Sequence, residues 1–130
     1  MNIQKISILG AGSMGTAILA GLLKSGFEGS QVAVTTKSQA NADKLRDELG
    51  VTAFALDSDT QANSRSVEGA DVVLLAVKPG YVLEVLGQIA SSIRPDALVI
   101  SVAAGITTTA MQGALPDSVA VIRSMPNTPA

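Results

Sequence analysis

The sequence contains no cysteine and no histidine. The first absence excludes disulfides, thiolate metal ligands and cysteine nucleophiles. The second removes the commonest proton acceptor at neutral pH, the Ser-His-Asp triad and the usual zinc ligand. No metal site is expected, and any chemistry must rest on carboxylates, lysines, Tyr81, hydroxyls, backbone groups or a bound cofactor. Aromatic residues make up only 2 % of the chain and tryptophan is absent, which argues against single-strand nucleic-acid binding by base stacking. The net charge of −2 gives no basic field for a phosphate polymer. Long uncharged runs are few. Ile6–Leu23 and Ala97–Leu115 are two, but glycines, serines, threonines and Gln112 divide each into a strand, a turn and a helix. A membrane span or signal peptide is therefore not expected, and the cytoplasm is the default location.

What is present is aliphatic. The apolar fraction is 47 % over 130 residues, one domain's worth of chain with a core of Ala, Val, Ile and Leu. Such a bias suits buried parallel strands, which read as continuous apolar runs. Strand and helix patterns alternate throughout. Strands are predicted at Ile3–Leu9, Gln31–Thr36, Val51–Ala55, Asp71–Val77, Ala97–Val102 and Val119–Ser124. Helices are predicted at Ser13–Ser25, with Ser13 as its cap and Gly26 as its stop, and at Gln39–Leu49. Another carries Val82, Val85, Leu86 and Ile89 on one face and ends near Pro95, and a short one spans Thr107–Gly113. The polar stretch Asp57–Glu68 reads as a loop with a short helix. The expectation is a single α/β domain over residues 1–130, a Rossmann-like, doubly wound and mostly parallel sheet with helices on both faces. Ligands of such sheets bind outside the carboxyl ends of the strands, so the turns there are where function is sought.

The first of these turns is ILGAGSMG, a G-x-G-x-x-G with Gly10, Gly12 and Gly15 between a strand and a helix. The first glycine makes the tight turn. The second lets a pyrophosphate approach the backbone, and the third lets helix and strand pack closely. The helix N-terminus presents free N–H groups to the anion. The Walker alternative fails because Thr16 occupies the lysine position. A G-x-S-x-G nucleophile at Ser13 fails because Ala11 replaces its first glycine and no histidine exists. The second strand ends in Thr36, Lys37 and Ser38, without the acid that binds the ribose 2′-hydroxyl in many NAD-binding folds. Two hydroxyls and a cation suit a 2′-phosphate, so NADPH is the expected cofactor and NADH remains possible. At later strand ends, Lys78-Pro79 stops one strand, and Ala103-Ala104-Gly105 reads by itself as a plain tight turn. Arg123 reads as a solvated edge charge.

Taken together, GAGSMG, AVKPG, SVAAGIT and VIRSMPNTPA resemble, in order and spacing, the N-terminal half of pyrroline-5-carboxylate reductases. That family reduces 1-pyrroline-5-carboxylate to L-proline with NAD(P)H, the last step of proline biosynthesis. By position the resemblance implies cofactor contacts from Leu9, Gly10, Ala11, Gly12, Ser13, Met14 and Gly15 in the pyrophosphate loop. It places Thr36, Lys37 and Ser38 in the ribose-phosphate loop, with further contacts from Ala76, Val77, Lys78 and Pro79 and from Ala103, Ala104 and Gly105. Asn63, eight residues before Asp71, resembles the asparagine that contacts the cofactor's ribose, although from the residues alone it reads as a polar loop position. Gly80 departs from the glutamine common after this Lys-Pro.

The resemblance also implies a helical second domain after a segment like MPNTPA. That domain forms the homo-oligomer and supplies the substrate-carboxylate contacts, so this chain is expected to be an isolated cofactor-binding domain with little or no turnover alone. The implied substrate is a small cyclic imine, and no catalytic residue is assigned. Two alternatives stay open: a β-hydroxyacid-type dehydrogenase domain, which opens with a similar glycine turn, and a stand-alone NADP-sensing module.

Overall fold

Apolar, β-branched runs form the strands and the amphipathic stretches between them form the helices, in the computed structural model that describes residues 3–103 and 105–124. In chain order these are β1 (Ile6–Leu9), α1 (Ser13–Lys24), β2 (Val32–Thr36), α2 (Gln39–Leu49), β3 (Thr52–Ala55) and α3 (Ala62–Val67). They are followed by β4 (Val72–Leu75), α4 (Val82–Ile89), β5 (Leu98–Ser101), α5 (Thr108–Gly113) and β6 (Ala120–Arg123). The six strands make one sheet in the order β3-β2-β1-β4-β5-β6, and every neighbouring pair is parallel. The expected mostly parallel sheet is thus wholly parallel among the described residues. After β1 the chain moves outward to β2 and β3, then returns to place β4 on the other side of β1. The turns after β1 and β4 therefore diverge, which opens a crevice at the carboxyl ends of these two central strands.

Alternation along the strands divides the core between the two faces. Ile6, Ile8, Val72 and Leu74 pack on one side with Leu19 of α1 and Ala42 and Leu45 of α2. Leu9, Val73, Leu75 and Val99 pack on the other with Val82, Val85, Leu86 and Ile89 of α4 and Met111 of α5. The α4 stripe is the one its sequence spacing predicts. No helix among the described residues is long and apolar enough to cross a membrane.

The element ends differ from the sequence reading in instructive ways. β1 begins at Ile6 rather than Ile3, because the backbone N–H groups of Gln4 and Lys5 donate to the Asp71 carboxylate instead of to a neighbouring strand. α4 ends at Ile89, well before Pro95; its last carbonyl then accepts from Ser92 and Ile93, and this turn keeps Ile93 in the core. The cap of α1 is Gly12, not Ser13, and no side chain caps that helix. Ser13 already has helical backbone geometry, so its own N–H joins the unsatisfied donors of the first turn. At the other end Gly26 N–H donates to Leu23 O and Phe27 N–H to Leu22 O, the paired bonds that close a helix on a glycine. Asn63 lies on α3, not in a loop.

Candidate functional site

The glycine turn after β1 is held by backbone and by the neighbouring strand ends. Ala11 N–H donates to Thr35 O at 2.7 Å and Gly12 N–H to Gly10 O at 2.8 Å. Gly10 N–H donates to the Thr35 hydroxyl at 3.0 Å. Gly10 has φ +85°, and a Cβ there would lie 2.8 Å from Val77 Cγ1 and 3.2 Å from the Ala76 carbonyl. A Cβ on Gly15 would lie 2.7 Å from Gly10 O. The first and third glycines are therefore packed solid, the first against the β4 turn and the third against the first. A Cβ on Gly12 would meet nothing within 4 Å. The turn is closed on its protein side and open where a ligand would approach. The open side carries the uncapped N-terminus of α1, with no acidic residue in its first turn. Gly12, Ser13 and Met14 are exposed, while Leu9 and Ala11 are buried beneath them. The electrostatics are those of an anion site: aligned N–H donors, a positive helix end and no competing carboxylate.

The loop after β2 is built differently. Thr36 is buried, and its hydroxyl accepts from Asn41 Nδ2 at 2.6 Å. Ser38 caps α2, its hydroxyl accepting from Asn41 N–H at 3.2 Å. Lys37 is exposed between them and makes no ion pair among the described residues. The loop is tied to the end of β3 by Leu56 N–H to Thr36 O and Asp57 N–H to Lys37 O. Of the three expected phosphate ligands, the lysine projects from the surface, the serine is half-buried and the threonine faces inward.

Asn63 is 3 % exposed. Its Nδ2 donates to Gln88 Oε1 of α4 at 2.9 Å. Its Oδ1 is buried without a hydrogen-bond partner, a condition that costs free energy unless something supplies a donor.

Ala76 and Val77 line the crevice against the first and third glycines, and Ala76 N–H donates to Leu9 O across the switch point at 2.9 Å. Lys78 and Pro79 follow on the surface. Ala103 is buried, its N–H donating to the Ser101 hydroxyl at 3.2 Å, and Gly105 is exposed. Ala104 and the segment 125–130 lie outside the described residues. Arg123 is more than a solvated charge, since its guanidinium donates to Ile106 O at 3.2 Å and ties the end of β6 to the loop after β5. A separate depression between α5 and β6, lined by Thr108, Thr109, Gln112, Gly113, Asp117 and Val121, contains none of the sequence-predicted site residues.

Sequence reasoning missed Thr35. It is fully buried and holds the glycine turn through both its hydroxyl and its carbonyl. The signal was a polar residue inside an otherwise apolar buried strand. It also missed Gln88, which carries no motif and is recognisable only from its place beside Asn63.

The family model described as "NADP oxidoreductase coenzyme F420-dependent" matches residues 5–105. The chain is 40 % identical over 128 residues to a pyrroline-5-carboxylate reductase of Escherichia coli, an alignment covering 98 % of this chain and 45 % of that protein. Among solved structures, a pyrroline-5-carboxylate reductase from Coxiella burnetii superposes with a TM-score of 0.85 at 33 % identity, covering 98 % of this chain and 46 % of that one. The Plasmodium falciparum pyrroline carboxylate reductase superposes with a TM-score of 0.77 at 22 % identity, covering 98 % and 44 %, a likeness of fold. The chain spans about half the length of the curated relatives it matches.

Proposed function

The chain belongs to the family of NADP oxidoreductases described as coenzyme F420-dependent, and from that premise we propose that its strand-end crevice holds NADP(H) as the cofactor domain of a pyrroline-5-carboxylate reductase. The carrying observation is the glycine turn: Gly10 and Gly15 have no room for a side chain, whereas Gly12, between them, faces open space. A turn conserving space only for packing has no need of the middle vacancy, but a pyrophosphate does. The unpartnered Asn63 Oδ1 fits the same group, which carries ribose hydroxyls able to donate to it.

In this reading the backbone from Leu9 to Gly15 binds the pyrophosphate, with Ser13 and Met14 contributing first-turn N–H groups. Lys37 and Ser38 bind the 2′-phosphate, and Thr36 supports them from within through Asn41. Asn63 binds a ribose hydroxyl. Ala76–Pro79, Ala103 and Gly105 form the walls nearer the reacting end, and the small residues among them let a flat ring lie against backbone. The bound cofactor supplies a hydride. The chain's own contribution is to orient that group and to exclude water, which suits a polypeptide with no histidine or cysteine to act as an acid or base.

For the protein at its relatives' full length, the reaction we assign is reduction of the C=N bond of 1-pyrroline-5-carboxylate to L-proline. Hydride goes to the imine carbon, and a proton resides on the nitrogen. The second half is assigned the substrate carboxylate and the pairing of two copies, and the cytoplasm is the expected location. The assignment of the reaction is supported by relatives 33–40 % identical over nearly the whole chain that bear the name pyrroline-5-carboxylate reductase.

Calorimetric titration of the chain with NADPH and NADH tests the cofactor reading. NADPH should bind more tightly, and absence of binding by either overturns the site. Steady-state assay with 1-pyrroline-5-carboxylate tests the division of labour. The full-length protein should oxidise NADPH, whereas rapid substrate-dependent oxidation by the 130-residue chain alone contradicts it.

A further inference from the structure

Asn63 Oδ1 is the one buried side-chain polar atom without a hydrogen-bond partner among the described residues. Its amide nitrogen is already committed, donating to Gln88 Oε1 at 2.9 Å. The same glutamine is fastened a second time, its backbone carbonyl accepting from the Ser64 hydroxyl at 2.9 Å. Gln88 is thus pinned to α3 through both main chain and side chain, at neighbouring residues of that helix. An asparagine amide has an acceptor end and a donor end, and which end faces a ligand is decided by whatever engages the other.

We propose that Gln88 is a positioning residue, which by accepting from Asn63 Nδ2 fixes the amide so that only its oxygen remains for the cofactor, and so makes Asn63 a reader of hydroxyl rather than phosphate. This rests on the cofactor reading above. A ligand that engages Asn63 must bring a donor, and a ribose hydroxyl can supply one where an ionised phosphate cannot. The pair therefore contributes to binding of NADPH and NADH alike, while discrimination between them belongs to Lys37 and Ser38 on the β2 loop.

Gln88 is exposed, so substitutions there leave the core intact. Gln88→Met keeps the length of the side chain and removes the acceptor. Gln88→Glu keeps the acceptor and has no donor, and so holds Asn63 in the same orientation. Both variants, Asn63→Ala and the unaltered chain are titrated with NADPH and with NADH at physiological ionic strength, where an added exposed charge is largely screened. Their thermal midpoints are measured alongside.

Gln88→Met is expected to weaken both cofactors by the same factor, about fivefold, as for one neutral hydrogen bond. Gln88→Glu should stay within about twofold of the unaltered chain, a rescue that a merely structural role does not give. Equal losses in Gln88→Met and Gln88→Glu overturn the proposal, as does a loss confined to NADPH. If Asn63→Ala weakens binding and Gln88→Met does not, the positioning role fails and the site stands. If the unaltered chain binds neither cofactor, the site itself fails.

Discussion

The two ends of the sheet are finished in opposite ways. At the amino end side chains close the structure. The Asp71 carboxylate accepts from Gln4 N–H at 2.8 Å, Lys5 N–H at 3.0 Å and the Arg94 guanidinium at 2.7 Å. Lys5 Nζ donates to the Glu68 carbonyl, and Gln31 reaches across to Gln4 O. At the carboxyl end the glycine turn is closed by backbone and by Thr35, and its outer surface is left free. An end devoted to stability satisfies its polar groups internally, whereas an end devoted to binding keeps some of them open and supports them from beneath. Substitutions at the first should alter stability alone, and those on the outer surface of the second should alter binding alone.

The sharpest break of this rule is expected at the third glycine, which belongs to the supporting layer of the carboxyl end. Gly15→Val drives its Cβ into Gly10 O, a backbone atom that cannot swing aside as the end of a flexible side chain would. The cost should be about 3 kcal/mol, at the upper end for overpacking. Chemical denaturation should show the loss of stability, and titration should show the loss of NADPH binding with it.

At the amino end, Asp71→Ala leaves the backbone donors of Gln4 and Lys5 without their acceptor and Arg94 with Asp96 as its remaining carboxylate. Hydrogen bonds to a charged group set the loss at about 2 kcal/mol, with cofactor affinity unchanged. The pH dependence follows from the same geometry. The N–H groups of Gln4 and then Lys5, and after them Arg94, hold the Asp71 carboxyl below its ordinary value, against the opposing effect of burial. A carboxylate depressed on folding stabilises the protein above its unfolded pKa of about 4 and loses that contribution as pH falls through the lower folded value. Thermal midpoints of the unaltered chain should therefore fall in acid below pH 4 more steeply than those of Asp71→Ala. Parallel curves would remove Asp71 from the account.

Gly12→Ala isolates the outer surface. Its φ is −83°, and a Cβ there touches nothing, so the thermal midpoint should not fall. The methyl group would occupy the space assigned to the pyrophosphate, and NADPH affinity should fall at least tenfold, about 1.4 kcal/mol. Unchanged affinity would show that the vacancy is not where the cofactor lies.

The comparison also explains what could be read from the sequence. The strands, the glycine turn and the α4 stripe were legible because each is local: β-branched runs, glycine spacing and helical periodicity act over a few residues. Pairwise long-range contacts were not legible. Asp71 reads as the first residue of a strand, and only the fold brings it to Gln4 and Lys5. Asn63 reads as a loop residue because six residues of weak helix carry little periodic signal, and its partner Gln88 lies 25 positions away. Thr36 looked like a ligand by its place at a strand end, but the pleat turns it inward to Asn41.

The smallest effect tests the part of the proposed cofactor site that is built from a side chain rather than from backbone. Lys37 is exposed and unpaired among the described residues, so Lys37→Ala should leave stability unaltered. An exposed cation facing a phosphate contributes about 1 kcal/mol at most, because water and salt screen it. NADPH affinity should therefore fall about fivefold, and NADH affinity, with no 2′-phosphate to meet the lysine, should not change. The NADPH loss should shrink as salt is raised, while the loss in Gly12→Ala, which is steric, should not. If Lys37→Ala weakens both cofactors equally, the lysine faces the pyrophosphate instead, and selectivity for the 2′-phosphate falls to Ser38 and the backbone of its loop.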